Sequence, residues 1–164
     1  MDIIKELLAE LESETATTRK MLALVPEDRF DWSPHPKSMT LKQLATHIAE
    51  IPSWYAIAVD EDVLDFNEGN YTPTPVGSNA DLLALFEKSY QTGKSALERL
   101  PENLLNKPWT MRGGDVVYLD TNKYGMVRHA FAQTIHHRAQ LGVFLRLLDI
   151  PIPGSYGPSA DEMG

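Results

Sequence analysis

Prolines divide this chain into segments that can only be helical one at a time. Val25-Pro26, Pro52, Pro101 and Pro151 each stand at the end of a stretch with helical hydrophobic spacing. A proline inside a helix removes one backbone donor and crowds the carbonyl four residues earlier. The first stretch runs from about Asp2 to Leu24. Ile3, Leu7 and Leu11 recur at spacing four, with Ile4 and Leu8 alongside, and Asp2 can cap the start. The second opens on a capping box, Thr40 with Gln43, and carries Leu41, Leu44, Ala45, Ile48 and Ile51 on one face. Pro52 kinks or ends it, and Trp54 to Val59 continues beyond the kink. Ser78 and Asp81 start a third helix that turns Leu82, Phe86, Gly93 and Leu97, with Leu83 and Tyr90, inward and reaches about Leu100. The fourth runs from about Asn122 to Leu148.

The connections are equally patterned. Glu27 to Met39 reads as an ordered loop anchored by Trp32, and Asp60 to Gly77 as a long crossover. Within Leu104 to Asp120, Trp109-Thr-Met-Arg, Gly113-Gly114 and Val116-Val117-Tyr118-Leu119 resemble a short hairpin. The tail from Pro151 is too rich in proline and glycine for a helix, and Ile152 and Tyr156 predict that it packs down. Arg138 is predicted to pin that tail through Asp161 or Glu162. Four helices with a long second connection predict an all-α, up-down four-helix bundle, a single domain over residues 1–164. An irregular α domain with a small β hairpin is the alternative.

Composition narrows the function. The chain has no cysteine, which removes disulfides, thiolate metal sites and cysteine nucleophiles together. Its net charge of −8 speaks against nucleic acid as a partner, because sequence-independent binding needs a positive surface. No apolar run approaches the ~18 residues of a membrane span. The N-terminus lacks the basic-then-apolar order of a signal peptide. The expectation is a cytoplasmic protein with no membrane partner.

Five histidines remain as candidates for chemistry. His35 reads as a loop surface residue. On the last helix Met126, Ala130, Leu141 and Phe144 define an apolar stripe with His137 at its centre and Gln133 one turn earlier. His129 and His136 fall roughly 80–100° away at about 100° per residue. His47 lies on the edge of the second helix's apolar face. A histidine facing a core is most often simply hydrogen-bonded there. Two imidazoles from different helices can instead share a divalent ion, and residues at spacing four, such as Gln133 and His137, converge on one point. Trp32, Trp54 and Trp109 are predicted as core or pocket walls. Ile57, Val59 and Leu64 are apolar beyond one helical stripe and would suit a dimer surface.

Three motifs then stand in a recognisable order. They are Asp31-Trp32-Ser33-Pro34, Leu44-Ala45-Thr46-His47-Ile48-Ala49 and His136-His137-Arg138-Ala139-Gln140-Leu141, followed by the tail Tyr156-Gly157-Pro158-Ser159-Ala160-Asp161-Glu162. Together they resemble the DinB-like family of DNA-damage-inducible, YfiT-type four-helix bundles over essentially the whole chain. The resemblance implies one divalent metal ion held by three side chains, one from the second helix and two from the last, four residues apart. By position these are His47, Gln133 and His137, with a glutamine where the family carries a histidine. An amide oxygen is neutral and less basic than imidazole, so a weaker site, or one completed by water, is implied. Zinc or nickel is the implied metal, with iron or manganese as alternatives. His129 lies ~12 Å along the helix axis from His137 and is not expected to replace Gln133.

The resemblance further implies a metal-dependent enzyme, a small-thiol S-transferase or a related transferase or hydrolase. It would act as a homodimer on a small thiol or another small-molecule substrate. The alternative is a non-catalytic, stress-induced dimeric bundle with a degenerate metal site. Induction by DNA damage describes regulation and does not entail contact with DNA.

Overall fold

The computed structural model describes residues 2–69 and 72–163. Asn70 and Tyr71, within the expected crossover, lie outside the described residues. The helices form where their local signals stand. Helix α1 spans Ile3–Leu22, and the Asp2 carboxylate accepts from the Lys5 amide at its start. Helix α2 spans Leu41–Glu50. Its capping box is complete, with Thr40 Oγ1 accepting from the Gln43 amide and Gln43 Oε1 accepting from the Thr40 amide. Pro52 converts the next turn to a 3-10 helix, Ile51–Ser53, and α3 follows over Trp54–Asp60. Helix α4 spans Asn79–Glu98 and α5 spans Lys123–Leu147.

Helices α4 and α5 each pack against α1, α2 and α3. The kink at Pro52 sets one of these distances. A Cβ at Gly93 of α4 would stand 2.1 Å from the Pro52 carbonyl oxygen, so only glycine lets α4 approach there. Lys123 joins α5 to α3 in a similar local way. Its buried ammonium donates to the carbonyls of Ala58, Val59 and Glu61, which end α3, and pairs with Asp62.

The all-α expectation is corrected by a three-stranded sheet. The hairpin foreseen before the last helix is present as β2, Pro108–Gly113, and antiparallel β3, Val116–Asn122, with Gly114 at positive φ in the turn. A third strand, β1 (Val63–Asp65), lies inside the stretch read as a crossover and pairs parallel with β2, Val63 opposite Thr110. Three residues are too few to show the two-residue period of a strand, so the sequence carried no signal for it.

Two apolar clusters fill the interior. One gathers Leu7, Leu11, Tyr55, Leu97, Trp109, Met126 and Phe131 near the sheet. The other gathers Met21, Leu22, Leu41, Ile48, Phe86, Leu141 and Leu145. Along α1 and α5 a polar layer separates them: Glu14, Thr15 and Thr18 on one helix, Thr134 and Arg138 on the other, all buried. Arg138 is only 1% exposed, and its guanidinium donates to a Glu14 carboxylate oxygen at 2.5 Å, to the Glu14 carbonyl at 3.2 Å and to Thr18 Oγ1 at 3.1 Å.

The expected pairing of Arg138 with Asp161 or Glu162 is therefore corrected. Arg138 belongs to the core, and Arg146 one helical stretch later holds Asp161 through both oxygens. The tail does pack down. Tyr156 donates its hydroxyl to Glu14 Oε1 at 2.7 Å, its ring lies under the Arg138 guanidinium, and Ile152 meets the space left open at Gly142.

Candidate functional site

Two helices far apart in sequence bring histidines together. The capping box fixes the first turn of α2 and so aims His47, half-buried on the edge of its apolar face. Helix α5 presents His129, Gln133 and His137 one turn apart, each half-buried, on one side of the rod. The His47 and His137 rings meet edge to face with centroids 4.5 Å apart. His137 Nε2 lies 2.9 Å from Gln133 Oε1, and its Nδ1 lies 2.8 Å from Gln140 Oε1. The structure thus brings His47, Gln133 and His137 to one place.

The expected position of His137 needs correction all the same. It does not centre the buried face of α5. That face is Met126, Val127, Ala130, Phe131, Thr134, Arg138, Leu141 and Leu145. His137 lies beside it, at the border. Val127, Phe131, Thr134 and Arg138, absent from the stripe read in the sequence, turn the buried face by roughly 55° at about 100° per residue. His136 is exposed with its ring 4.8 Å from His137, and His35 is exposed in its loop, as read from the sequence.

Burial pushes the imidazoles of His47, His129 and His137 below their ordinary value of 6.5. At His47 the neighbouring His137 adds to this, and Glu50 opposes it. At His137 the hydrogen bond with Gln140 opposes it and His136 adds to it. All three rings therefore favour the neutral form, which lends a lone pair. His137 then poses a small puzzle. A neutral imidazole has one N–H, yet both its nitrogens face amide oxygens. Turning one amide over would satisfy the ring. So would a cation between Nε2 and Gln133 Oε1, with Nδ1–H donating to Gln140. A protonated ring would too, but burial disfavours that charge.

Beside these residues opens a cavity of about 550 Å³. His47, Trp54, His129 and Gln133 form its polar side on the helices, and Leu64, Met111 and Leu119 of the sheet close the opposite side. Phe66 and Tyr118, 50% and 61% exposed with centroids 6.0 Å apart, stand at its rim. Trp54 is a pocket wall, as predicted, and its ring is parallel to that of His129 at 6.5 Å. Trp109 is core, and Trp32 packs edge-on against Phe144. Of Ile57, Val59 and Leu64, read as a dimer surface, Ile57 and Leu64 line this cavity.

Sequence reasoning set His129 aside as too far from His137 and gave Gln140 no part in the site. The signal for His129 was available, because 129, 133 and 137 form one run at spacing four. The sheet residues had none, since their place depends on the β1–β2 pairing. Among the described residues no three His, Cys, Asp or Glu side chains converge as a metal-binding group. Two histidines and an amide oxygen are what the site offers. No helix among the described residues is long and apolar enough to cross a membrane.

The family model of the DinB family matches residues 1–163. A DinB-like protein from Bacillus subtilis superposes with a TM-score of 0.71 at 18% identity, covering 92% of this chain and 96% of that one. A DinB-like protein from Bacillus cereus superposes with a TM-score of 0.73 at 19% identity, covering 93% and 97%. The mycothiol-dependent maleylpyruvate isomerase is more distant, with a TM-score of 0.58 at 16% identity over 85% of this chain and 60% of that one. No curated protein sequence matches the chain.

Proposed function

The chain belongs to the DinB family, and on that premise we propose that it is a divalent-metal-dependent enzyme, a small-thiol S-transferase or a related transferase or hydrolase. The carrying observation is the contact of His47 with His137 beside Gln133 Oε1. These three side chains would hold the metal. With a cation bound, Nδ1–H of His137 would donate to Gln140 and so turn the Nε2 lone pair toward the ion, as an outer hydrogen bond does for a ligating imidazole. The donor set fits a zinc or nickel ion with open positions, with iron or manganese as alternatives. Held there, a divalent ion would supply the lowered pKa that makes a thiol or water a nucleophile at neutral pH. The cavity next to it would present the molecule attacked, shielded by Trp54 and the sheet. The distant likeness to a mycothiol-dependent isomerase is consistent with thiol chemistry.

The test is elemental analysis of untagged protein beside His47→Ala and His137→Ala. One metal per chain, absent from both variants, is the expected result. Turnover of an electrophile with each of several small thiols, with and without zinc, nickel or manganese, should then follow the metal. A metal-free protein that binds none of these ions would overturn the reading. It would favour the second one, a non-catalytic bundle acting as a homodimer, which draws its support from Gln133 standing where the family has a histidine.

A further inference from the structure

The walls of the cavity have a definite chemistry of their own. Ile57, Leu64, Met111, Leu119 and Met126 give it an apolar lining, and the two methionines can adapt to an irregular shape. Among the described residues no lysine or arginine lines it. Its single acid, Asp65, is already committed. That carboxylate accepts from the Asn67 amide at 2.9 Å and the Gly114 amide at 3.0 Å, and it pairs with Arg112 Nε at 2.9 Å. Two amides donate to one of its oxygens and the Arg112 cation faces the other, so it has little left for a ligand cation. With no metal ion at His47 and Gln133, an anionic ligand would be stripped of water and given no counter-charge. Besides the Trp54 indole and the Tyr118 hydroxyl at the rim, the remaining polar groups are those of His47, His129 and Gln133, on the helical wall. Aromatic rings frame the space on that wall, at Trp54, and at the rim, at Phe66 and Tyr118.

We infer that this cavity binds a neutral, largely apolar molecule with a flat aromatic part, its polar end toward His129 and Gln133, and that in the metal-free chain it selects against carboxylates, sulfonates and phosphates. The volume of about 550 Å³ lies within the range of small-molecule sites. The inference deepens the proposed function, in which such a molecule is the electrophile, and rests on that reading for that role only. Binding itself requires no metal.

Two fluorescent probes with one skeleton test it. N-phenyl-1-naphthylamine is neutral, and 8-anilinonaphthalene-1-sulfonate adds one negative charge. In metal-free protein the neutral probe should saturate at one per chain, and the sulfonate should bind at least about tenfold more weakly. Leu64→Trp and Met111→Trp, which fill the space from two strands, should each weaken the neutral probe by about tenfold or more with far-UV circular dichroism unchanged. Equal or tighter sulfonate binding overturns the inference, as does neutral-probe binding that is unsaturable or survives in both filled variants. His137 does not line the cavity. His137→Ala should therefore lose metal and keep the neutral probe, so the metal reading and the cavity reading fail separately.

Discussion

His137 and Arg138 are neighbours on α5, yet the helix turns them into two opposite kinds of polar site. Arg138 enters a closed one. Its donors meet Glu14 and Thr18, and the other Glu14 oxygen takes the Tyr156 hydroxyl. His137 enters an open one, half-buried, where its partners are neutral amides and a second imidazole. In the closed site charge is balanced by charge inside the chain, so its energy is spent on folding. In the open site imidazole nitrogens meet neutral amides beside a cavity with no charge to balance, so its lone pairs are available for binding. A substitution should cost stability in the first and affinity in the second.

The largest effect should come from Arg138→Met. It leaves the buried Glu14 carboxylate uncompensated, which costs about 3–5 kcal/mol, a fall in Tm of roughly 10 °C. Adding Glu14→Leu should recover most of that loss, because the pair is then removed whole. Thermal melts of the single and double variants check this, and a double variant no better than the single would break the contrast. Metal bound per folded chain should stay unchanged in both.

Next is Gln140→Leu, which removes the outer hydrogen bond of His137. Metal affinity should fall by about 10–100-fold with Tm almost unmoved, as read by competition with a chelating dye. The converse variant, Gln133→His, should tighten binding by restoring a third imidazole. Unchanged affinity in both would mean that His137 and Gln133 do not hold the ion.

Acid should separate the regions more gently. Three imidazoles, His47, His129 and His137, have folded-state values below 6.5. The folded chain thus binds fewer protons than the unfolded one as the pH drops past that value. Their contribution is fully present above about pH 6.5 and is lost as pH falls through the lowered folded values. Tm should decline over that window, and less so in His129→Gln. Asp161 titrates separately. Arg146 draws its carboxyl down to about 2, so the hold on the tail persists above the ordinary value of 3.8 and is lost as pH falls through about 2.

The smallest effect belongs to Arg146→Leu. Its ion pair with Asp161 is exposed, and exposed pairs contribute little to global stability. Limited proteolysis should cut the segment after Pro151 faster while Tm barely moves. Equal cutting rates would show that Tyr156 and Ile152 hold the tail without it.

The helix starts were legible because their chemistry is local. Asp2, Thr40 with Gln43, Ser78 and Asn122 each accept from an amide three residues on, and each was readable as a start. The meeting of His47 and His137 was legible only through the resemblance, since periodicity placed His137 at the centre of a stripe it merely borders. Helix α5 hides its own face, because Lys123, Thr134 and Arg138 are buried among its apolar residues and blur the pattern.

By itself, then, the sequence determined the caps, the kink at Pro52, the β2–β3 turn at Gly114 and the four helical stretches, all set by groups within a few residues of one another. Tertiary structure alone decided the parallel β1–β2 pairing, the burial of Arg138 against Glu14 and the cavity between helices and sheet. The reason is that a charged side chain can be buried only where its counter-charge waits, and Glu14 is 124 residues away.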